Sequence, residues 1–586
     1  MSAMSAMVDS GSDARPDPAA NIGTLAAAAL PLIFYIAALP AFAYFGSHAR
    51  LLEEALSLGH AATPAASLLS ALAVRVPLGP LALRVGFAGA LCAAIGSGAL
   101  FMALLRGLRA LGVQRDEVTA PLCLGACCVA FGSEPLWSLV LRGSPHVLGV
   151  ALCCLLAERL LCIALAEDGR RDAWMSTSLF AGLLLSHDAR WGLATLPALW
   201  LAARARMPPR MAVVGLLVGA APMLHPLLRG VADLAPMPTA AADATLTALH
   251  MALAVAAAAG LIACLRTPRL AAPVVQLMLL LGGPALLSLG TGAAAELAHA
   301  AQALLLLLAV ALTTLGAASV LAAPTDAGLP RLALVVALAW LALGVVQLRH
   351  ASTALSLADF DTSDVLQQHA AQHLPPRTVV LWPDAAGHAN AAAHQRESAT
   401  RPDVVHVPMS HARDPRASVA LSERTPELRA LLRDQLLQGR LRTPALQTLA
   451  VRTPVALDAR PRELPLLCET LLPSGGLLHV IADGATRRDQ RLAAEGQAAY
   501  YARLYENIEP HRLDDPSRRL LLRLHRRDAL YYMHFGDRAA AHAALQYAIR
   551  LSPDDADTAQ MLAALGEVDG PQWSKPVDIA KLVEEL

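Results

Sequence analysis

The chain has 586 residues, 55% of them hydrophobic and only 16% charged, with a mean hydropathy of +0.47. A soluble protein carries roughly a quarter charged residues, so this composition excludes an ordinary water-soluble enzyme. Forty-seven basic residues balance forty-seven acidic ones, and a neutral chain lacks the basic face that a nucleic-acid partner requires.

Residues 1–21 are small, polar and proline-containing, and read as a disordered cytosolic leader without a cleavage site. A series of apolar runs follows and stops near Gln347. Runs such as 22–45, 83–105, 244–264 and 301–323 are long enough to cross roughly 30 Å of hydrocarbon as helices. Eight of the nine cysteines (Cys92, Cys123, Cys127, Cys128, Cys153, Cys154, Cys162 and Cys264) lie in these runs, where they serve as small packing residues. Only Cys468 lies beyond them, so neither a disulfide framework nor a metal-ligand spacing is present.

Arginine placement orients the bundle, because short basic loops stay in the cytoplasm. Stretches 106–115, 167–174, 204–210 and 266–269 are the basic loops. They share one side only if segment 176–203 goes out and returns, turning at Ser186-His187-Asp188-Ala189-Arg190. This gives about eleven crossings, a cytoplasmic N-terminus and a tail on the far side. The Ala/Arg-rich, Lys-poor composition points to a high-GC bacterium, hence to the inner membrane with the tail in the periplasm. The first loop, 46–80, then faces the same compartment as the His187 turn. In it Leu51, Leu52, Ala55, Leu56 and Leu58 have near-helical spacing beside Glu53 and Glu54. Pro64 opens a second apolar stretch that Pro77-Leu78-Gly79 ends, which predicts two short interfacial helices.

Beyond His350 the texture changes. Segments 379–382, 404–407, 451–456 and 477–481 are strand-like and 425–439 is helix-like, predicting an extramembrane α/β module within 349–485. From 486 onward the chain is helical. Tyr532, Gly536, Ala541, Ala548 and Pro553 fit the second half of a tetratricopeptide unit. A lone repeat cannot bury its own face, so it packs on the preceding helices or offers a groove to a protein partner.

The order of these pieces resembles the DUF2723 family, multi-pass proteins related to protein O-mannosyltransferases within the GT-C glycosyltransferase superfamily. The resemblance is carried by Gly46 to Leu51, Leu58-Gly59, Pro64, Leu68, Pro77-Leu78-Gly79 and Arg84, then by Gly182 to His187. In the tail it is carried by 381–384, Arg401-Pro402-Asp403-Val404 and Gly476-Leu477-Leu478. It implies a GT-C-like bundle that moves a sugar, mannose in the relatives the family is named with, from a polyprenyl phosphate to an exported protein or glycan at the outer membrane face. The departures lie at the acids. The family's first-loop Asp falls on Ser47 and its Glu on Arg50, and a later Ala-Glu-Val-Tyr element becomes Arg142-Gly143-Ser144-Pro145-His146.

Such a transfer needs a carboxylate to take the acceptor hydroxyl's proton and cations, or a divalent metal, to hold the departing phosphate. The residues that can supply this are Asp188, Glu53 and Glu54 as carboxylates, and His187, Arg190, Arg84 and Arg142 as substrate contacts. Each has a plainer role open to it: an Asp188–Arg190 helix cap, solvated glutamates, and arginines anchoring helix ends at the headgroups. His60 and His146 read as interface polar residues, and Glu158–Arg159 as a buried or snorkelling pair. Asp384 and Asp403 sit where strand-end residues cap turns. His388, His394, His406 and His411 have no regular metal-ligand spacing and read as a solvated loop. With the first-loop acids lost, the alternative to an enzyme is a catalytically inactive membrane scaffold that binds partners through its tail.

Overall fold

The computed structural model describes residues 18–44, 47–57, 63–113, 116–165, 171–205, 210–224, 248–266, 268–290, 295–321, 329–358, 360–383, 385–409, 415–438, 441–508, 513–566 and 576–585. The chain divides into a membrane unit drawn from Met1–Leu39, Glu54–Leu78 and Arg84–Ala358, and a second unit drawn from Pro40–Glu53, Gly79–Leu83 and Asp359–Leu586.

The protein is mainly α-helical and its membrane unit is a multi-pass bundle. The first ten helices of the chain are α1 (Pro18–Ala38), α2 (Ser47–Ser57), α3 (Pro64–Ala73), α4 (Leu81–Ala110), α5 (Asp116–Phe131), α6 (Glu134–Leu141), α7 (His146–Leu165), α8 (Arg171–His187), α9 (Ala189–Ala205) and α10 (Met211–Ala220), of which α2 belongs to the second unit up to Glu53. Helices Ala248–Leu265, Pro268–Leu277, Gly283–Gly290, Ala295–Leu321 and Leu329–Ala354 complete the described part. Six helices among the described residues are long and apolar enough to cross a membrane, and seven if α5 and α6, bent by 62°, form one span. The expected eleven crossings depend in addition on shorter helices such as α8, α9 and α10. Two boundaries differ from expectation. Helix α1 begins at Pro18, inside the segment read as leader, because proline suits a first helical turn. It ends at Ala38 rather than running to 45, because Leu39 precedes Pro40 and the residue before a proline is disfavoured in α geometry.

Helices α8 and α10 run in parallel with their backbones touching. A Cβ at Gly182 would lie 2.3 Å from Leu216 O, one at Gly219 2.2 Å from Leu179 O, and one at Gly215 2.6 Å from Met175 O. Parallel α8 and α10 require α9 to travel back between them. The link from Ala205 to Met211 reaches at most roughly 20 Å, so α9 must end near the start of α8. The out-and-back path read from the arginines therefore has a geometric counterpart, with its break at Asp188.

The second unit is built on a five-stranded sheet of order β2-β1-β3-β5-β4, with β1 Val379–Trp382, β2 Val405–Pro408, β3 Val455–Leu457, β4 Leu471–Ser474 and β5 Leu477–Val480. Strands β2, β1 and β3 are parallel, and β5 and β4 form an antiparallel hairpin on the edge beyond β3. Strand β4 was hidden by Pro473, which an edge strand tolerates. Residues 451–454 form a turn and the strand end before β3 rather than strand throughout. Helix Ala385–Ser398 was also missed, because its alanine-, histidine- and asparagine-rich sequence has no apolar stripe.

The expected boundary at 485 is corrected: the terminal helices share a core with the sheet. Leu457, Leu471 and Leu478 pack with Leu530, Tyr531, Met533 and Leu545. The hairpin of Asp515–Phe535 and Arg538–Leu551 turns at Gly536, whose φ of 79° is left-handed. Arg527, 0% exposed, joins its helix to the sheet. It donates to Asp458 at 3.1 Å, to Asp528 at 2.7 Å and to Gly476 O at 3.1 Å, while Arg523 holds the other Asp458 oxygen at 2.6 Å.

Two tests follow from this packing. Gly219→Leu forces the backbones of α8 and α10 apart, so thermal unfolding in detergent should show a loss of about 3 kcal/mol or more. Leu217→Ala, on an exposed position of the same helix, should cost far less. In the second unit His525 is fully buried, with Tyr505 OH 2.7 Å from its Nε2, and burial, aided by Arg527, pushes its pKa down to about 3. The unfolded chain takes up a proton below about pH 6.5 that the folded unit refuses, so stability falls with acidification by about 1.4 kcal/mol per pH unit. Denaturant unfolding followed by near-UV dichroism should show a shallower loss in His525→Phe than in wild type between about pH 6.5 and pH 3.

Candidate active site at the turn between α8 and α9

Asp188 is the one non-helical residue between α8 and α9. Its Oδ1 accepts from the Arg190 backbone N at 2.9 Å and from Arg190 Nε at 3.2 Å, and its Oδ2 accepts from Arg190 Nη2 at 2.9 Å. The carboxylate thus caps the first turn of α9. Arg190 is largely exposed, so the pair is open on one side.

Behind it lies a ring cluster. The His187 ring is 5.9 Å from that of His146 and 6.2 Å from that of Trp191, and His146 stacks on Trp191 at 5.7 Å. Trp191 Nε1 donates to Ser288 Oγ at 3.0 Å. Gly149 makes room for the cluster, since a Cβ there would meet Trp191 at 2.7 Å and His187 at 2.9 Å. His187 is only 1% exposed, yet neither of its ring nitrogens has a hydrogen-bond partner among the described residues. An unsatisfied buried group costs roughly 1–3 kcal/mol, so it calls for a functional account. His146, read from sequence as an interface residue, is built into this cluster. Trp191 was missed, because a tryptophan near a helix start is indistinguishable in sequence from a core residue.

The turn is not alone at its end of the bundle. Arg142 caps α6 and lies four residues before His146, so the α6–α7 turn sits beside the α8–α9 turn. Helix α3 packs on α8 and on the single 3-10 turn Ala221–Met223 that follows α10. Because α10 is parallel to α8, that contact marks the His187 end of α8. The first-loop helix, Arg142, His187, Asp188 and Arg190 thus gather at one end of the membrane unit.

The other sequence candidates have different surroundings. Glu54 is buried and accepts a hydrogen bond from Ser67 Oγ, which ties α2 to α3; the expectation of a solvated glutamate is corrected. Arg84 donates through Nη1 to Val74 O at 2.7 Å and through Nε to Leu78 O at 3.2 Å, fastening the turn after α3. Glu53 belongs to the second unit, where its carboxylate is 3.5 Å from His388 Nδ1. Glu158, in α7, is paired with Arg106 and, at 2.7 Å, with Arg159.

His388, His394 and His406 are not in a solvated loop. His388 is buried and His394 Nδ1 is 2.7 Å from Asp364, both on helix Ala385–Ser398, while His406 on β2 accepts from Trp382 Nε1 at 3.1 Å. Asp403 accepts from Arg401 at 2.9 Å and from the Arg377 backbone N at 2.8 Å, which hold its carboxyl well below the usual range and fix a turn. His60, Asp384 and His411 lie outside the described residues. Among the described residues no group of three or more His, Cys, Asp or Glu is placed to hold a metal ion.

No protein-family profile matches the chain, and no curated protein is significantly similar to it. Among solved structures it is similar to ArnT from Cupriavidus metallidurans bound to undecaprenyl phosphate, with 12% identity and a TM-score of 0.46 over 77% of this chain and 96% of that one. The apo state of the same protein gives 12% identity and a TM-score of 0.45 over 80% and 100%. The mycobacterial arabinofuranosyltransferase AftD gives 16% identity and a TM-score of 0.42 over 75% of this chain and 35% of that one.

The buried Glu54–Ser67 bond generates a test at this site. Glu54→Ala removes the tie from Ser67 to α2 and leaves the hydroxyl only its 3.2 Å bond to Thr63 O, so it should cost about 0.5–1.5 kcal/mol in thermal unfolding, whereas Glu54→Gln, which keeps an acceptor, should cost less. A loss of equal size in both variants would mean that charge and not the bond holds α2 to α3.

Proposed function

We propose that this protein is a divergent membrane glycosyltransferase that moves a sugar from a polyprenyl-phosphate donor to an exported protein or glycan at the outer face of a bacterial inner membrane. The observation that carries this reading is the gathering of Asp188, Arg190, Arg142 and an unpartnered buried His187 at the bundle end covered by α3. The order of sequence elements resembling the DUF2723 family supplies the reaction class.

In this reading Asp188 is the general base. The acceptor hydroxyl approaches its carboxylate, gives up its proton as it attacks the sugar's anomeric carbon, and the bond to the lipid phosphate breaks. Arg190 is the cation that exchanges partners: bound to Asp188 at rest, it turns its exposed guanidinium toward the phosphate as negative charge builds there. Arg142, at the neighbouring α6–α7 turn, is the second cation available at that end of the bundle. His187, buried and without a partner, holds a polar substrate group or an ordered water. Glu54 and Arg84 act as positioning residues that fix the loop helices. Mannose is the first sugar to try, and the tail lies in the periplasm.

One observation favours the second reading, an inactive scaffold. Both Asp188 oxygens are engaged by Arg190, and the acids that the family carries in the first loop are replaced by Ser47 and Arg50. Purified protein in lipid, supplied with labelled polyprenyl-phosphate mannose and then with other lipid-linked sugars, separates the two. Transfer by wild type with a loss of about a hundredfold or more in Asp188→Asn supports the enzyme. No transfer by a folded wild-type protein from any donor leaves the scaffold. Transfer that persists undiminished in Asp188→Asn removes Asp188 from the base role.

A further inference from the structure

The sheet of the second unit has a reversal in its strand order. From β1 the chain goes to β2 on one side, and the return from β2 passes to β3 on the other side of β1. Connections diverging from neighbouring parallel strands leave a crevice at the strands' carboxyl ends, where open α/β sheets bind ligands. A cavity of about 60 Å³ lies at that place, lined by Leu381 and Pro383 at the end of β1, Met409 after β2, and Leu457 and Arg460 at the end of β3.

Gln435 faces this cavity from helix Arg429–Gln438. Its side chain is 4% exposed, and its Oε1 meets no donor among the described residues. At the mouth Arg460 donates through Nη2 to Pro383 O at 2.8 Å, and its backbone N donates to Glu463 Oε2 at 3.1 Å. The floor is apolar. Asp458 also lines the cavity, and its charge is met from behind by Arg523 and Arg527.

We infer that this crevice is a binding site for a sugar residue or other small neutral polyol. The chemistry selects the class. Gln435 Oε1 needs a donor, while the Arg460 guanidinium and the Glu463 carboxylate, each with one bond already made, keep further donor and acceptor capacity; hydroxyls serve both kinds, and vicinal hydroxyls over an apolar floor match this alternation. A phosphate is disfavoured by charge, since it would sit against the Glu463 carboxylate with only Arg460 at the mouth to offset it. The space suits one ring edge, since it holds roughly four or five waters and is far below the several hundred Å³ of a drug-sized ligand pocket. The site lies wholly in the second unit and does not depend on sugar transfer by the membrane unit.

Saturation-transfer NMR on the full-length protein in lipid nanodiscs tests this, with the methyl glycosides of mannose, glucose, galactose and N-acetylglucosamine as probes at millimolar concentration. At least one should give a signal that falls tenfold or more in Gln435→Leu and weakens in Arg460→Ala, and that inorganic phosphate does not displace. Gln435→Leu removes an unpaired buried oxygen and should melt no lower than wild type, so loss of signal would not reflect unfolding. Asp188→Asn should keep the signal, which separates this site from the transfer reaction. No signal from any glycoside, a signal unchanged in both crevice variants, or displacement by phosphate would each overturn the assignment.

Discussion

The position of the candidate site depends on the backbone contact between α8 and α10. In hydrocarbon there is no hydrophobic drive to bring helices together, so association rests on close packing of small residues. Gly182, Gly215 and Gly219 remove the side chains that would keep these two helices apart. Contact at several successive glycines sets direction as well as distance. It makes α8 and α10 parallel, which obliges α9 to return and puts a sharp turn at Asp188. The turn then needs a cap for the first N–H groups of α9, and Asp188 supplies one. The carboxylate is therefore at the turn for a structural reason before any chemical one. Because α3 packs on the same end of α8, the loop helix and the turn are fixed relative to each other by the same contact.

The second unit depends on a different kind of interaction. Arg527 is fully buried with Asp528 and Asp458, and Gln497 and Tyr501 donate to Asp528 Oδ2 at 2.8 and 2.7 Å. Burying such a group costs several kcal/mol unless its hydrogen bonds are met. Here they come from the end of β3, the turn between β4 and β5, and two terminal helices. A network of this type contributes less to net stability than to uniqueness, since any slip of helix against sheet would leave a buried charge unpaired. It explains why a repeat-like hairpin, which cannot bury its own face, belongs to the same core as the sheet.

Much of this architecture was legible in the sequence. The apolar runs predicted the bundle, and the arginine spacing predicted a break at 186–190 that the structure places at Asp188. Gly536 announced the turn of the terminal hairpin, and four of the five strands, β3 only in part, stood out as strand-like runs. What was hidden had physical causes. Helix Ala385–Ser398 is buried through alanines, which leave no periodic signal. Strand β4 carries a proline that only its edge position permits. The Arg527 network joins residues tens of positions apart, and its members look like ordinary surface charges in sequence. The His146–His187–Trp191 cluster is likewise a tertiary event, since neither histidine has a neighbour in the chain that would mark it as buried.

The turn also shows what a general base at this end of the bundle would require. A base at this surface must be held still, be accessible, and have a cation nearby to receive the charge it helps to release. Asp188 meets the first condition through its cap, and Arg190, exposed on one side, bears on the other two. The same ion pair that favours a quiet structural role is the arrangement a transferase would use at rest, because an unpaired carboxylate at a membrane boundary is costly. His187 does not by itself separate the two roles: an ordered water would meet its two ring nitrogens in a scaffold as a polar substrate group would in an enzyme.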